Sequence, residues 1–151
     1  MENSVLLNKI QRFCAYQERC SSEVVKKLMT LGASQEQITI LLNLLIESSF
    51  LNEERYAISY AESKFNLKKW GSIKIAMYLK QKGISKENIN KAVGAISAKE
   101  INATLNSLYE KKWASLANET NLIKRKQKTL RYLLSKGYTY NQISTLLHLD
   151  D

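Results

Sequence analysis

Apolar side chains recur at i, i+3 and i+4 along most of the chain, the spacing that gathers them on one face of an α-helix. The clearest runs surround three glycines, Gly32, Gly83 and Gly137, which stand 51 and 54 residues apart. Four residues before them come Leu28, Leu79 and Leu133; seven before come Val25, Ala76 and Leu130. Two residues after each glycine is a hydroxyl side chain, Ser34, Ser85 or Thr139, and six after is Ile38, Ile89 or Ile143. Leu41-Leu42, Ala92-Val93 and Leu146-Leu147 complete the match, and agreement at this many positions marks an internal repeat.

Each repeated position has a physical reason. A glycine just past a helix end supplies the left-handed conformation that a side chain penalises. The hydroxyl residue then caps the following helix. Ser34 with Gln37 and Thr139 with Gln142 fit a reciprocal capping box, and Ser85 with Asn88 is a weaker version. Each glycine therefore joins two helices by a sharp turn. Upstream of each hairpin, amphipathic spacing predicts another helix, over roughly 4–18, 53–67 and 99–117. Asn52 is placed to cap the second of these, with Glu53 and Glu54 in the first turn, where carboxylates complement the helix dipole.

The expected fold is all-α: three tandem three-helix repeats, 1–50, 51–97 and 98–151, forming an elongated or crescent-shaped molecule. Units of this size are marginal alone, so neighbours are expected to share apolar surface. Composition agrees. The 151 residues include no proline and only five glycines, which leaves few helix breakers.

Charge adds direction. The formal net charge is +9, and it is unevenly placed. Residues 1–51 hold five basic and five acidic groups, residues 52–97 nine against four, and residues 98–151 nine against five. A one-sided positive field speeds encounter with an anionic partner. Little points to catalysis. The single histidine, His148, is read as a helix-end residue, and no phosphate loop, nucleophile–base pair or carboxylate pair can be picked out. Cys14 and Cys20 fit no metal-ligand spacing with it and are read as buried small hydrophobes in a reducing cytoplasm. No apolar run is long enough for a membrane helix. No cofactor, metal or catalytic residue is expected.

The second unit reads Leu51-Asn52-Glu53-Glu54-Arg55-Tyr56-Ala57, then Trp70-Gly71-Ser72-Ile73-Lys74, Leu79, Gly83-Ile84 and Ile89. This resembles the bacterial RecX regulatory family, whose middle repeat runs Leu-Asp-Asp-x-Arg-Phe-Ala, Gly-x-x-Arg/Lys-Ile, Leu-x-x-x-Gly-Ile. In the first unit, Arg19-Cys20-Ser21-Ser22-Glu23-Val24 followed by Lys27-Leu28 is similar to the family's Arg-Ser-x-x-Glu-Leu-x-x-Lys-Leu. The motifs are specific through residues 12–93; beyond them only the hairpin skeleton persists. Asn52-Glu53 stands for paired aspartates, Tyr56 for phenylalanine and Cys20 for serine. The resemblance implies a modulator of the RecA recombinase; the chain is expected to be a cytoplasmic monomer. It would lie along the RecA–DNA filament, inhibit ATP hydrolysis and strand exchange, and make at most weak direct contact with DNA.

The residues assigned to partner binding are the basic ones of the second and third units: Arg55, Lys68, Lys69, Lys74, Lys80, Lys82, Lys124, Arg125, Lys128 and Arg131. On a helix, positions 124, 128 and 131 share a face that can meet phosphates or acidic side chains. Trp70 and Trp113 are expected to pack rather than to stack on bases. A rival function is a helix-turn-helix DNA-binding regulator, because Leu133 to Leu147 has that motif's spacing. Its reading helix, expected over 140–149, carries no Arg or Lys to reach guanine edges.

Overall fold

A computed structural model describes residues 1–147 of the chain. Among these residues the chain forms nine helices and no strand: α1 (Asn3–Tyr16), α2 (Ser21–Thr30), α3 (Gln35–Glu47), α4 (Glu53–Lys68), α5 (Ser72–Gln81), α6 (Lys86–Gly94), α7 (Ala98–Ser115), α8 (Leu122–Ser135) and α9 (Tyr140–Leu147). They group in threes, as the repeat predicts. The first helix of each module lies against the hairpin made by the other two: α1 on α2 and α3, α4 on α5 and α6, α7 on α8 and α9. His148 lies outside the described residues.

The hairpins follow their local chemistry. Gly32, Gly83 and Gly137 have φ of 86°, 82° and 101°, in the left-handed region. Ser34 accepts from the Gln37 N–H while the Gln37 side chain accepts from the Ser34 N–H, and Thr139 with Gln142 repeats the exchange. Ser85 accepts from Asn88. Asn52 caps α4 by accepting from Arg55 N–H at 2.8 Å. Two caps lie outside the sequence reading, Ser97 on α7 and Asn121 on α8.

Each module has its own core. Leu28, Leu79 and Leu133, the repeat's shared leucines, are fully buried in the first, second and third cores respectively. Burial of such a side chain contributes about 1.5–3 kcal/mol. The cores are not quite separable. Leu51 sits in the first core although it begins the second repeat, and Cys20 sits in the second core although it caps α2 of the first. Ile101 packs against both the second and the third.

Elongation follows from this serial packing. The molecule exposes 9452 Å², whereas a compact monomer of 17.3 kDa exposes roughly 7,800 Å². Neighbouring modules meet at two seams, and both seams join the middle helices end to end. At the first, Ser22 Oγ, in the first turn of α2, donates to the carbonyl of Lys82 at the end of α5 (3.0 Å). At the second, the N–H groups of Gly71 and Ile73 at the start of α5 donate to the carbonyls of Lys136 (2.7 Å) and Gly137 (3.0 Å) at the end of α8. At the second seam the unpaired carbonyls of one helix thus meet the unpaired amides of the next, and at the first a serine hydroxyl makes the link; at both, opposite dipole ends face each other. Helices α8, α5 and α2 form one row.

The second seam is tight enough to require two glycines. A Cβ on Gly71 would lie 2.4 Å from the Gly137 carbonyl oxygen, and one on Gly137 would lie 2.5 Å from Lys74 Cβ. Gly83 has open space around it. Gly83→Ala is therefore expected to cost about 1–2 kcal/mol, the backbone penalty alone. Gly137→Ala adds a collision with the neighbouring module and should lower the urea midpoint further. Equal midpoints would show that the seam gives way freely.

Candidate functional site

The basic residues that the sequence singles out do not form one stripe. At the first seam, Arg55 Nε donates to Glu18 at 2.7 Å and its Nη2 to the Ser49 carbonyl, and Lys82 pairs with Glu23 at 3.5 Å. Both cations therefore help to join modules one and two. Glu53 completes that joint by accepting the Ser21 N–H at 2.8 Å, which places a carboxylate at the start of α2. Its second oxygen is buried without a partner among the described residues.

The second seam gathers Lys68, Lys69 and Lys74. Lys136 Nζ donates to the Lys68 carbonyl at 3.0 Å, Lys74 Nζ approaches the Ser135 carbonyl at 3.4 Å, and Tyr138 Oη donates to the Lys69 carbonyl at 2.9 Å. Lys69 ends α4 in the left-handed conformation, at φ 61°, and its ammonium turns back to the Asn66 carbonyl. Nearby, Trp70 packs against Tyr78 with ring centroids 4.8 Å apart and planes tilted by 33°. Lys64 and Lys74 lie 5.1 and 4.8 Å from the Trp70 centroid, within cation–π range. Trp70 thus packs against the second core, with two lysines over its ring.

On α8 the predicted face divides. Lys124 and Arg131 are exposed and have no partner among the described residues. Lys128 pairs with Glu119 at 2.9 Å, and that hydrogen bond, with the Asn121 N–H, holds the Glu119 carboxyl below its ordinary value. Arg125 turns the other way. Its guanidinium donates twice to the Trp113 carbonyl, at 2.7 and 3.2 Å, and lies 4.0 Å from the centre of the Trp113 ring. It clamps α8 to α7. Lys80, on α5, is exposed and likewise unpaired among the described residues.

Sequence reasoning missed Lys64, Lys111 and Lys136. Lys136 had a signal: it occupies the position before the hairpin glycine, where the second unit has Lys82 and the first Leu31. Both cysteines are free and buried, and burial pushes their thiols up, so they remain protonated. Among the described residues no group of three or more His, Cys, Asp or Glu side chains is placed to hold a metal ion. No described helix is long and apolar enough to cross a membrane.

Two measurements check this assignment of roles. Arg125→Ala removes a charged hydrogen-bonding group from a half-buried site and should cost about 1.5–3 kcal/mol, whereas Lys124→Ala should stay within about 0.5 kcal/mol. Thermal unfolding followed by circular dichroism separates them. The second concerns the seam phenol. Burial, with a smaller contribution from Tyr132, pushes Tyr138 from 10.0 up to about 12. The folded state holds this proton more tightly than the unfolded chain does. Its stabilising contribution is therefore complete below pH 10 and declines as pH rises from 10 towards 12. Tyr138→Phe should be less stable at neutral pH, and its loss of stability across that window should be shallower than the parent's.

Comparison with known proteins agrees with this geometry. Residues 52–93 match the family model described as "RecX, second three-helix domain", and residues 100–147 match "RecX, third three-helix domain". These ranges cover α4–α6 and α7–α9. "Regulatory protein RecX" of Clostridium tetani is 30% identical over 138 residues, 91% of this chain and 63% of the relative. The protein of that name from Clostridium botulinum strain Eklund 17B is 34% identical over 130 residues, 85% of this chain and 60% of the relative. The chain thus spans about three fifths of the length of the curated relatives it matches. The crystal structure of RecX from Lactobacillus salivarius superposes with a TM-score of 0.87 at 28% identity, covering 98% of this chain and 96% of that one. A second RecX crystal structure, at 23% identity, shares the fold with the same TM-score. With two successive modules matched in order and the three-module architecture shared from end to end, the chain belongs to the RecX family.

Proposed function

We propose that this chain is a negative regulator of the RecA recombinase. It binds along the RecA–DNA filament as a monomer in the cytoplasm and inhibits ATP hydrolysis and strand exchange. Membership of the RecX family carries this reading. The curated relatives are named as regulatory proteins, which favours a binding role over catalysis. The architecture fits the task. An elongated row of three modules, basic in its second and third members, can span neighbouring protomers of a filament and meet negative charge along its length. A ligand that bridges protomers opposes any rearrangement that changes their spacing, because it binds the unrearranged state better.

The transcription-factor reading has less support. Helix α9, which would enter the major groove, carries no Lys or Arg and buries Ile143, Ser144 and Leu147. The same hairpin skeleton recurs in all three modules as a core-forming element.

The direct test is to add the protein to RecA-coated single-stranded DNA and to follow ATPase and strand-exchange rates. Both should fall as protein is titrated in. Unchanged rates at saturating protein would rule the proposal out. Charge reversal of Lys124 and Arg131, which carry no structural contact among the described residues, should weaken the inhibition while leaving the melting temperature in place.

A further inference from the structure

The two seams solve the same mechanical problem with opposite electrostatic finishes. At the first, three carboxylates are present: Glu18 faces Arg55, Glu23 faces Lys82 and Glu53 caps α2. The joint is compensated. At the second, the groups that meet are Lys68, Lys69, Lys74 and Lys136, and among the described residues their ammonium or carbonyl groups bond to main chain and to the Tyr138 hydroxyl. The four ion pairs found among the described residues are Arg55–Glu18, Lys82–Glu23, Lys91–Glu54 and Lys128–Glu119, and none involves a lysine of the second seam.

Beside this uncompensated charge runs a groove of about 230 Å³ lined by Lys69, Ala103, Thr104, Ser107, Leu108 and Lys111. Its polar lining residues are two lysines and two hydroxyl side chains, set beside the apolar Ala103 and Leu108, with no carboxylate among the described residues. Such a set donates hydrogen bonds to an anion from opposite walls, one from the end of α4 and one from α7. Lysines gathered at one joint, with no carboxylate partner among the described residues, favour the approach of an anion.

We infer that the seam between the second and third modules is a phosphate-binding groove that takes the sugar–phosphate backbone of a nucleic-acid strand. Lys69 and Lys111 contact a phosphate between them, Thr104 and Ser107 donate to its oxygens, and Lys68 and Lys136 meet neighbouring phosphates. Lysines are point charges suited to phosphate, and the groove has no Arg, Asn or Gln to read a base edge. Binding is therefore independent of sequence and steeply dependent on salt. The inference does not depend on recombinase binding; it adds a contact to nucleic acid at a defined place.

The test uses the full chain and a fluorescently labelled single-stranded oligonucleotide, without recombinase, followed by anisotropy between 50 and 300 mM salt. One variant combines Lys69→Asn, which suits the left-handed conformation at that position, with Lys111→Gln. The control combines Lys26→Gln with Lys86→Gln, which removes the same charge far from the seam. The seam variant should bind about fivefold or more weakly at low salt, with a log–log salt slope shallower by about 1.4, the contribution of two phosphate contacts on a single strand. The control should change less than twofold. Thermal melting establishes that both variants are folded. Equal weakening of both would reduce the effect to net charge and overturn the assignment. So would unchanged oligonucleotide binding by the seam variant, and if that variant also lost inhibition of RecA-coated DNA, the groove's occupant would be protein. Failure of the parent to slow the filament ATPase bears on the regulatory reading alone.

Discussion

The end-to-end contact between helix termini is the constraint on which the arrangement of modules depends. A helix leaves its first amides and last carbonyls without internal partners, and water usually satisfies them. Here the carbonyls that end α8 satisfy the amides that begin α5, and α5 repeats the arrangement with α2 through a serine hydroxyl. The three middle helices act as a spine. The remaining helices supply the cores that hold each spine segment in place, and the direction of the spine sets where every basic side chain lies.

The two seams differ in how much they depend on side chains. The second is closed by main-chain hydrogen bonds across a pair of glycines, so its geometry is fixed by backbone shape. The first uses carboxylates and cations that are partly exposed, with side-chain exposures between 25% and 45%, where each pair is worth little. Its permanent anchor is apolar: Cys20 buried within the second core. Of the two joints, the second depends more on backbone shape and carries the larger net charge.

Much of this was legible in the sequence. Glycine spacing, hydroxyl caps and leucine periodicity are local signals, and they place the hairpins and the three-helix modules correctly. The family resemblance rested on motifs in the first two units, while the third offered only a skeleton, yet residues 100–147 match the family's third domain. The basic residues were harder to assign. Arg125, Lys128 and Arg131 look alike in sequence, but one clamps a tryptophan, one pairs with a glutamate and one is unpaired among the described residues. Those differences come from Trp113 and Glu119, which reach α8 across the α7–α8 turn. Local patterns carry no information about which distant carbonyl or carboxylate a cation will meet. The lysines of the second seam converge through tertiary docking alone.

The trading of Cys20 and Leu51 across the first boundary means that the repeats interlock like adjacent tiles rather than beads on a string. A fragment ending at residue 50 would lack a plug for the first core, and one starting at residue 51 would lack the thiol that fills the second. The repeat therefore describes how the sequence is organised, while the folded unit crosses its borders. Any exchange of modules between relatives has to carry the neighbour's tile as well.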